Sequence, residues 1–303
     1  TLPKGTTTDR NRTGGRGITG GGNDPANTNL ISYFTISSMG NAFDFGDLSG
    51  ARTGVGACSS STRGVFAGGG GSPAPAFFNT IEYVTIATTG DTQDFGDLDD
   101  ERRNITGVSN QTRGVWAGGS RPASDNVMQY ITFGTLGNAV DFGDTTDARA
   151  FGMAGASSPT RGLFVGGSPG SNIIDYITIA STGDAKDFGD LITGVFNGAG
   201  TSSNTRGIFA GGYNPTLQDN IEYVTISTLG NGQDFGNLIA TNQGIRGTSN
   251  KIRGVFSGGD TPTITNTLQY ITISSTGNAK DFGDLTSTIE SQGSCSDSHG
   301  GLS

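Results

Sequence analysis

The sequence predicts an all-β fold: a six-bladed β-propeller with four antiparallel strands per blade, its ring closed by a C-terminal strand pairing with the N-terminal blade. Three observations carry this. An Asp-Phe-Gly step recurs at Asp44, Asp94, Asp141, Asp187, Asp234 and Asp281, a period of about 47 residues, which is the length of a propeller blade. Each copy parses into short strand-like segments separated by turn residues, with essentially no helix signal. Residues 293–298 align with residues 56–61, so the end of the chain supplies the first strand that the opening copy lacks.

Within one copy the first strand is small and polar, as in Gly54-Val55-Gly56-Ala57-Cys58-Ser59, which suits the crowded axis of a wedge-shaped blade. The second strands begin near Arg16, Arg63, Arg113, Arg161, Arg206 and Arg253, and in the second copy the Gly68-Gly69 pair stops the strand sharply. A third strand over residues 81–86 is rich in branched side chains. Turns such as Thr-Gly-Asp and Leu-Gly-Asn then lead to a fourth strand carrying Asp-Phe-Gly-Asp. Residues 14–303 read as one propeller and residues 1–13 as an N-terminal extension. The closing strand is expected beside residues 16–20, removing a free sheet edge.

Two slots repeat in every copy. Ser59, Ser109, Ser157, Ser202, Ser249 and Ser296 are expected to satisfy backbone groups near the channel. The six arginines and the six Asp-Phe-Gly-Asp steps are expected to pair as charge-assisted bonds, for example Arg63 with Asp47 or Asp97, as a structural ring.

Composition narrows the function. The 303 residues hold 18 Lys and Arg against 27 acidic residues, a net charge of −9, and the arginines are spread one per repeat, which argues against a nucleic-acid footprint. No run of about 18 apolar residues would span a membrane as a helix. The chain opens at Thr1 with no apolar leader, which reads as a start that is processed, trimmed or cut from a longer protein. Cys58 and Cys295 share one repeat slot and read as small buried thiols.

Apparent catalytic motifs dissolve in the repetition. Asp-Phe-Gly occurs six times without the other kinase signatures, and the Gly-rich stretches precede no helix that could hold a phosphate. Asp91, Asp94 and Asp97 have calcium-like spacing, but Asn231 and Asn237 replace two of these positions in another copy. His299 is the single histidine, so no metal cluster and no ordinary triad can form. The expectation is therefore no catalytic residue, no metal and no cofactor.

Function is expected where the copies differ. The loop after the second strand is extended in the second copy over residues 70–78, and reads Ser120-Arg121-Pro122 in the third and Tyr213-Asn214-Pro215 in the fifth. Phe77, Phe78, Arg121, Tyr213 and Asn214 are the candidate ligand- or partner-binding residues, since the aromatics lie outside the repeat slots and suit a protein interface or sugar stacking. The alternative, that Phe77 and Phe78 fold back over a blade end, stays open.

The order of Arg, an apolar strand ending in Gly68-Gly69, Tyr83 and Phe95 resembles the kelch repeat, with Phe95 where kelch carries Trp. Repeats reading Arg-Gly-Val-Phe-Ala-Gly-Gly, Tyr-Val-Thr-Ile and Asp-Phe-Gly-Asp-Leu are also similar to those of virion structural and tail-fibre proteins of marine phages, cyanophages especially. That resemblance implies a non-enzymatic virion or extracellular part whose partners are other virion proteins or a host-surface receptor or glycan, with a homo-oligomer inside a larger assembly. The alternatives are a secreted carbohydrate-binding module and, third, an enzyme with a channel site around Asp297 and His299.

Overall fold

The computed structural model describes residues 15–71, 77–121 and 123–302; the N-terminal extension lies outside them. Six four-stranded antiparallel sheets form a ring, the six-bladed propeller expected. We number the blades in chain order. Blade 2 is typical, with strands Gly56–Ser59, Arg63–Ala67, Thr80–Thr85 and Gln93–Asp97. Blade 1 takes its first strand from the other end of the chain: Gly293–Ser296 pairs with Arg16–Gly20, placing Ile18 opposite Cys295 and Gly20 opposite Gly293.

The apolar core is divided into six layers, one in each seam between neighbouring blades. Ile18, Ile31 and Phe45 of blade 1, for example, pack on Val55, Phe66 and Val84 of blade 2. Second strands are buried at every position after the arginine, because each is covered on both faces. The Arg-Gly step that opens them works in both directions around the ring. A Cβ added at Gly114 would meet Cys58 Sγ of the preceding blade at 2.4 Å, so the glycine is the hole into which that side chain fits. Cys58 and Cys295 are accordingly buried free thiols, and burial raises both pKa values, that of Cys295 to about 12.

The expected charge ring is not what forms. Arg16, Arg63, Arg113, Arg161, Arg206 and Arg253 make no ion pair with Asp44, Asp94, Asp141, Asp187, Asp234 or Asp281, which are exposed on the rim strands. Neither Asp47 nor Asp97 pairs with Arg63. Each arginine instead lies over the Tyr of its own blade, as Arg16 does 4.5 Å from the Tyr33 ring centroid, and donates to a backbone carbonyl at the end of the next blade's third strand. The donors run Arg16 to Ile86, Arg63 to Phe133, Arg113 to Ala180, Arg161 to Ile226, Arg206 to Ile273 and Arg253 to Ser37, closing a circle. A half-buried guanidinium satisfies an orphan carbonyl there, whereas the rim carboxylates stay hydrated.

The Asp-Phe-Gly-Asp step also serves the seams. Its Phe is buried against the same Tyr, edge on, with Phe95 5.9 Å from Tyr83. Its Gly has positive φ, +148° at Gly96, where a Cβ would strike the Gly137 carbonyl of the next blade's turn at 2.4 Å. The backbone N–H of the second Asp donates to the Asn or Asp of that turn: Asp97 to Asn138 at 3.1 Å and Asp47 to Asp91 at 3.0 Å. Only one side-chain acceptor is needed, which is why Asn and Asp alternate in this slot.

The serines bind backbone as expected. Ser59 Oγ donates to Ser296 O, Ser109 to Ser59, Ser202 to Ser157, Ser249 to Ser202 and Ser296 to Ser249. The remaining link, between Ser157 and Ser109, is interrupted by His299, whose ring nitrogens lie 3.2 Å from Ser109 Oγ and 3.5 Å from Ser157 Oγ. His299 begins the tail that caps this end of the channel, with Gly300 and Gly301 against the Ser203 and Ser109 carbonyls.

Candidate binding face

The loops after the second and fourth strands meet on one end of the ring. Bridges join Thr53 to Gly70, Arg103 to Ser120, Phe196 to Tyr213 and Gln243 to Asp260, each a fourth-to-first loop against a neighbouring second-to-third loop. Beneath them Gly54, Asn104, Asn197, Gly244 and Ser291 hold positive φ, the Asn residues tolerating it through their short polar side chains. Their N–H groups donate around the axis: Asn104 to Gly54, Gly54 to Ser291, Ser291 to Gly244, Gly244 to Asn197 and Asn197 to Gly152. The link from Gly152 to Asn104 is missing.

The gap has a cause in chain length. From the second Asp of the rim step to the channel Ser, five blade junctions take 12 residues, as from Asp97 to Ser109, but Asp144 to Ser157 takes 13. The extra residue is Phe151. Ala150 makes the same bridge as Thr53 and Arg103 in their copies, here to Ser168, and Gly152 fills the positive-φ slot of Gly54 and Asn104; Phe151 is pushed out between them with φ +50° and 41% of its surface exposed. A bulky aromatic in left-handed backbone is a genuine outlier, a strain of about 1–3 kcal/mol that the surrounding structure must hold.

Phe151 does not stand alone. Arg103 lies between two rings, 5.2 Å from the centroid of Phe77 and 5.9 Å from that of Phe151, and its buried Nε has no hydrogen-bond partner among the described residues. Phe77 and Phe78 are half-buried: Phe78 donates its N–H to Gly69 O and stacks under Arg52, which is committed to Glu82 in the seam below. The pair therefore folds back along the blade end, and Phe77 alone joins the Arg103 cluster.

The other candidates sit apart. Tyr213 is half-buried, its ring 5.5 Å from Phe196 and both its backbone groups bonded to that residue. Asn214 donates to Gly194 O at 2.8 Å and Gly170 O at 3.4 Å, bracing the junction of blades 4 and 5. Arg121 lies in a two-residue strand paired with Ala123–Ser124, and its side chain lies outside the described residues.

Sequence reasoning passed over Arg103, hidden in a charge run, and Phe151, whose signal was a spacing of 13 residues in place of 12. At the opposite end of the channel His299 is held by structural hydrogen bonds. His299 Nδ1 accepts the Gly301 N–H, which leaves Nε2 protonated and donating to Ser59 O at 3.1 Å. Burial lowers its pKa to about 4, and Ser109 Oγ is itself spent on Ser59 O. Among the described residues no three His, Cys, Asp or Glu side chains gather as for a metal ion, and no helix is long and apolar enough to cross a membrane. No protein-family model and no curated protein matches the chain.

Proposed function

We propose that this chain is a non-enzymatic binding propeller, a structural or receptor-binding part of a phage particle, that docks through the loop face above blades 2 to 4. The observation that supports it most is Phe151: one inserted residue holds an aromatic in strained backbone beside Arg103 and Phe77, on the face where the repeats differ. The repeated arginines, tyrosines and phenylalanines, by contrast, are occupied with partners within and between blades. Strain kept at an exposed aromatic is characteristic of contact sites, and the repeat's similarity to marine-phage fibre proteins supplies the biological setting.

A reconstruction of particles carrying the chain tests this. The expected result is density from a neighbouring protein, or from bound host receptor, over Phe77, Arg103 and Phe151, with Phe151→Gly weakening attachment about tenfold or more. A bare face, with attachment unchanged in Phe151→Gly, overturns it. Binding confined to glycans on an array, lost in the same variant, would replace the particle role with the carbohydrate-binding one.

A further inference from the structure

The loop face holds one guanidinium that the fold does not spend. Each slot arginine donates to a carbonyl of the next blade, and Arg52, Arg102 and Arg149 pair with carboxylates. Arg246 donates to the Ile245 carbonyl. Among the described arginine side chains, Arg103 alone makes neither a hydrogen bond nor an ion pair, even though Asp99, Asp100 and Glu101 precede it closely in the chain. What holds it is the pair of rings, Phe77 and Phe151.

That arrangement turns a fixed, charged edge toward solvent. Arg103 is half-buried, and only its Nε is shut away without a partner, so the terminal amino groups are the accessible ones. Rings stacked on the guanidinium restrict it before any partner arrives, which lowers the ordering cost of docking. Its planar fork matches a carboxylate with two parallel N–H···O bonds.

The surroundings limit what can carry that carboxylate. Asp99, Asp100 and Glu101 are exposed, and the chain carries a net charge of −9, so a densely charged polyanion is repelled far more than a single carboxylate. Phe151, exposed beside the guanidinium, offers an apolar contact next to the charged one. We propose that Arg103 receives an isolated Asp or Glu side chain of a protein partner, with an apolar residue of the same partner seated on Phe151. This rests on the docking role proposed above and names the chemistry that the partner brings to it.

An array of synthetic peptides, each with a central Glu or Asp between apolar residues, set beside its Gln or Asn counterpart and beside polygalacturonate, tests the assignment with the whole chain as the analyte. The expected result is that acidic peptides bind about tenfold or more tighter than their amides, that Arg103→Gln abolishes this preference, and that polygalacturonate binds more weakly than the acidic peptides. Arg103→Lys keeps a charge without the fork and is expected to lose most of the preference, which keeps the proposal testable should Arg103→Gln fail to fold. No binding of any peptide, equal binding of acids and amides, a preference unchanged in both variants, or polygalacturonate bound ahead of the peptides overturns the proposal. If acids and amides bind equally and both are lost in Phe151→Gly, the carboxylate is refuted while the docking role of the loop face stands.

Discussion

The seam between blades 3 and 4 buries a cation with its carboxylate, and the seam between blades 4 and 5 buries a carboxylate without a cation. In the first, Arg149 and Asp175 are both almost wholly buried and ion-paired, and Arg149 Nη1 also donates to Gly166 O and Ile173 O. In the second, the position of Arg149 is held by Val195, and Glu222 occupies the slot of Asp175. Glu222 accepts from the N–H of Ile192 at 2.7 Å and of Thr193 at 3.1 Å, and from Asn220 Nδ2 at 2.9 Å. Gln129 and Gln269 fill the same slot elsewhere and accept from Asp99 N and Ile239 N. The shared requirement is therefore an acceptor for the loop of the preceding blade. The ion pair is one way of holding it.

The largest test of that comparison is Arg149→Met, which strands the Asp175 charge in a dry seam. A loss of about 3–5 kcal/mol is expected in chemical denaturation. Copying the other seam sharpens it: Arg149→Val with Asp175→Glu should recover part of the loss of Arg149→Val alone, about 1–2 kcal/mol in a double-mutant cycle, if backbone N–H groups can carry the carboxylate. Equal losses would show that the two seams are not interchangeable.

Glu222 gives a pH-dependent test of smaller size. Burial raises its folded pKa, with the N–H groups of Ile192 and Thr193 opposing the shift. Folding then favours the protonated form, so stability from this group falls as pH rises from the unfolded carboxylate range through the folded pKa, and stays at the lower level above it. Glu222→Gln, already represented in the slot by Gln129 and Gln269, should remove this dependence and change neutral-pH stability by less than about 1 kcal/mol. Denaturation midpoints of both proteins across pH 3 to 7 would measure it, and parallel curves would refute it. The smallest effect is expected at the same junction as Arg149: Phe151→Gly relieves the left-handed strain and should raise stability by about 1 kcal/mol, visible as a slightly higher denaturation midpoint.

Much of the fold was legible because each copy repeats the same punctuation. Gly68-Gly69 ends a strand, residues 293–298 repeat residues 56–61, and the observed strands of blade 2 begin and end within two residues of the expected positions. The arginine ring was misassigned because its partner is a backbone carbonyl of the next blade, which leaves no trace in side-chain identity. Tyr213 and Asn214 were marked by falling outside the repeat, yet they brace a junction, since a departure from consensus records a difference without saying which way the side chain turns.

By itself the sequence determined the period, the strand order and the closure, since glycine turns and alternating burial are local matters of backbone conformation and hydrophobic patterning. Only the tertiary structure decided what the seams do with their charges, that Phe151 emerges beside Arg103, and that Arg246 faces a channel without an ion-pair partner among the described residues. Each of those depends on residues roughly half a blade or more apart in sequence coming within a few ångströms of one another. Pairing, desolvation and strain are energies of that proximity, and no segment carries them alone.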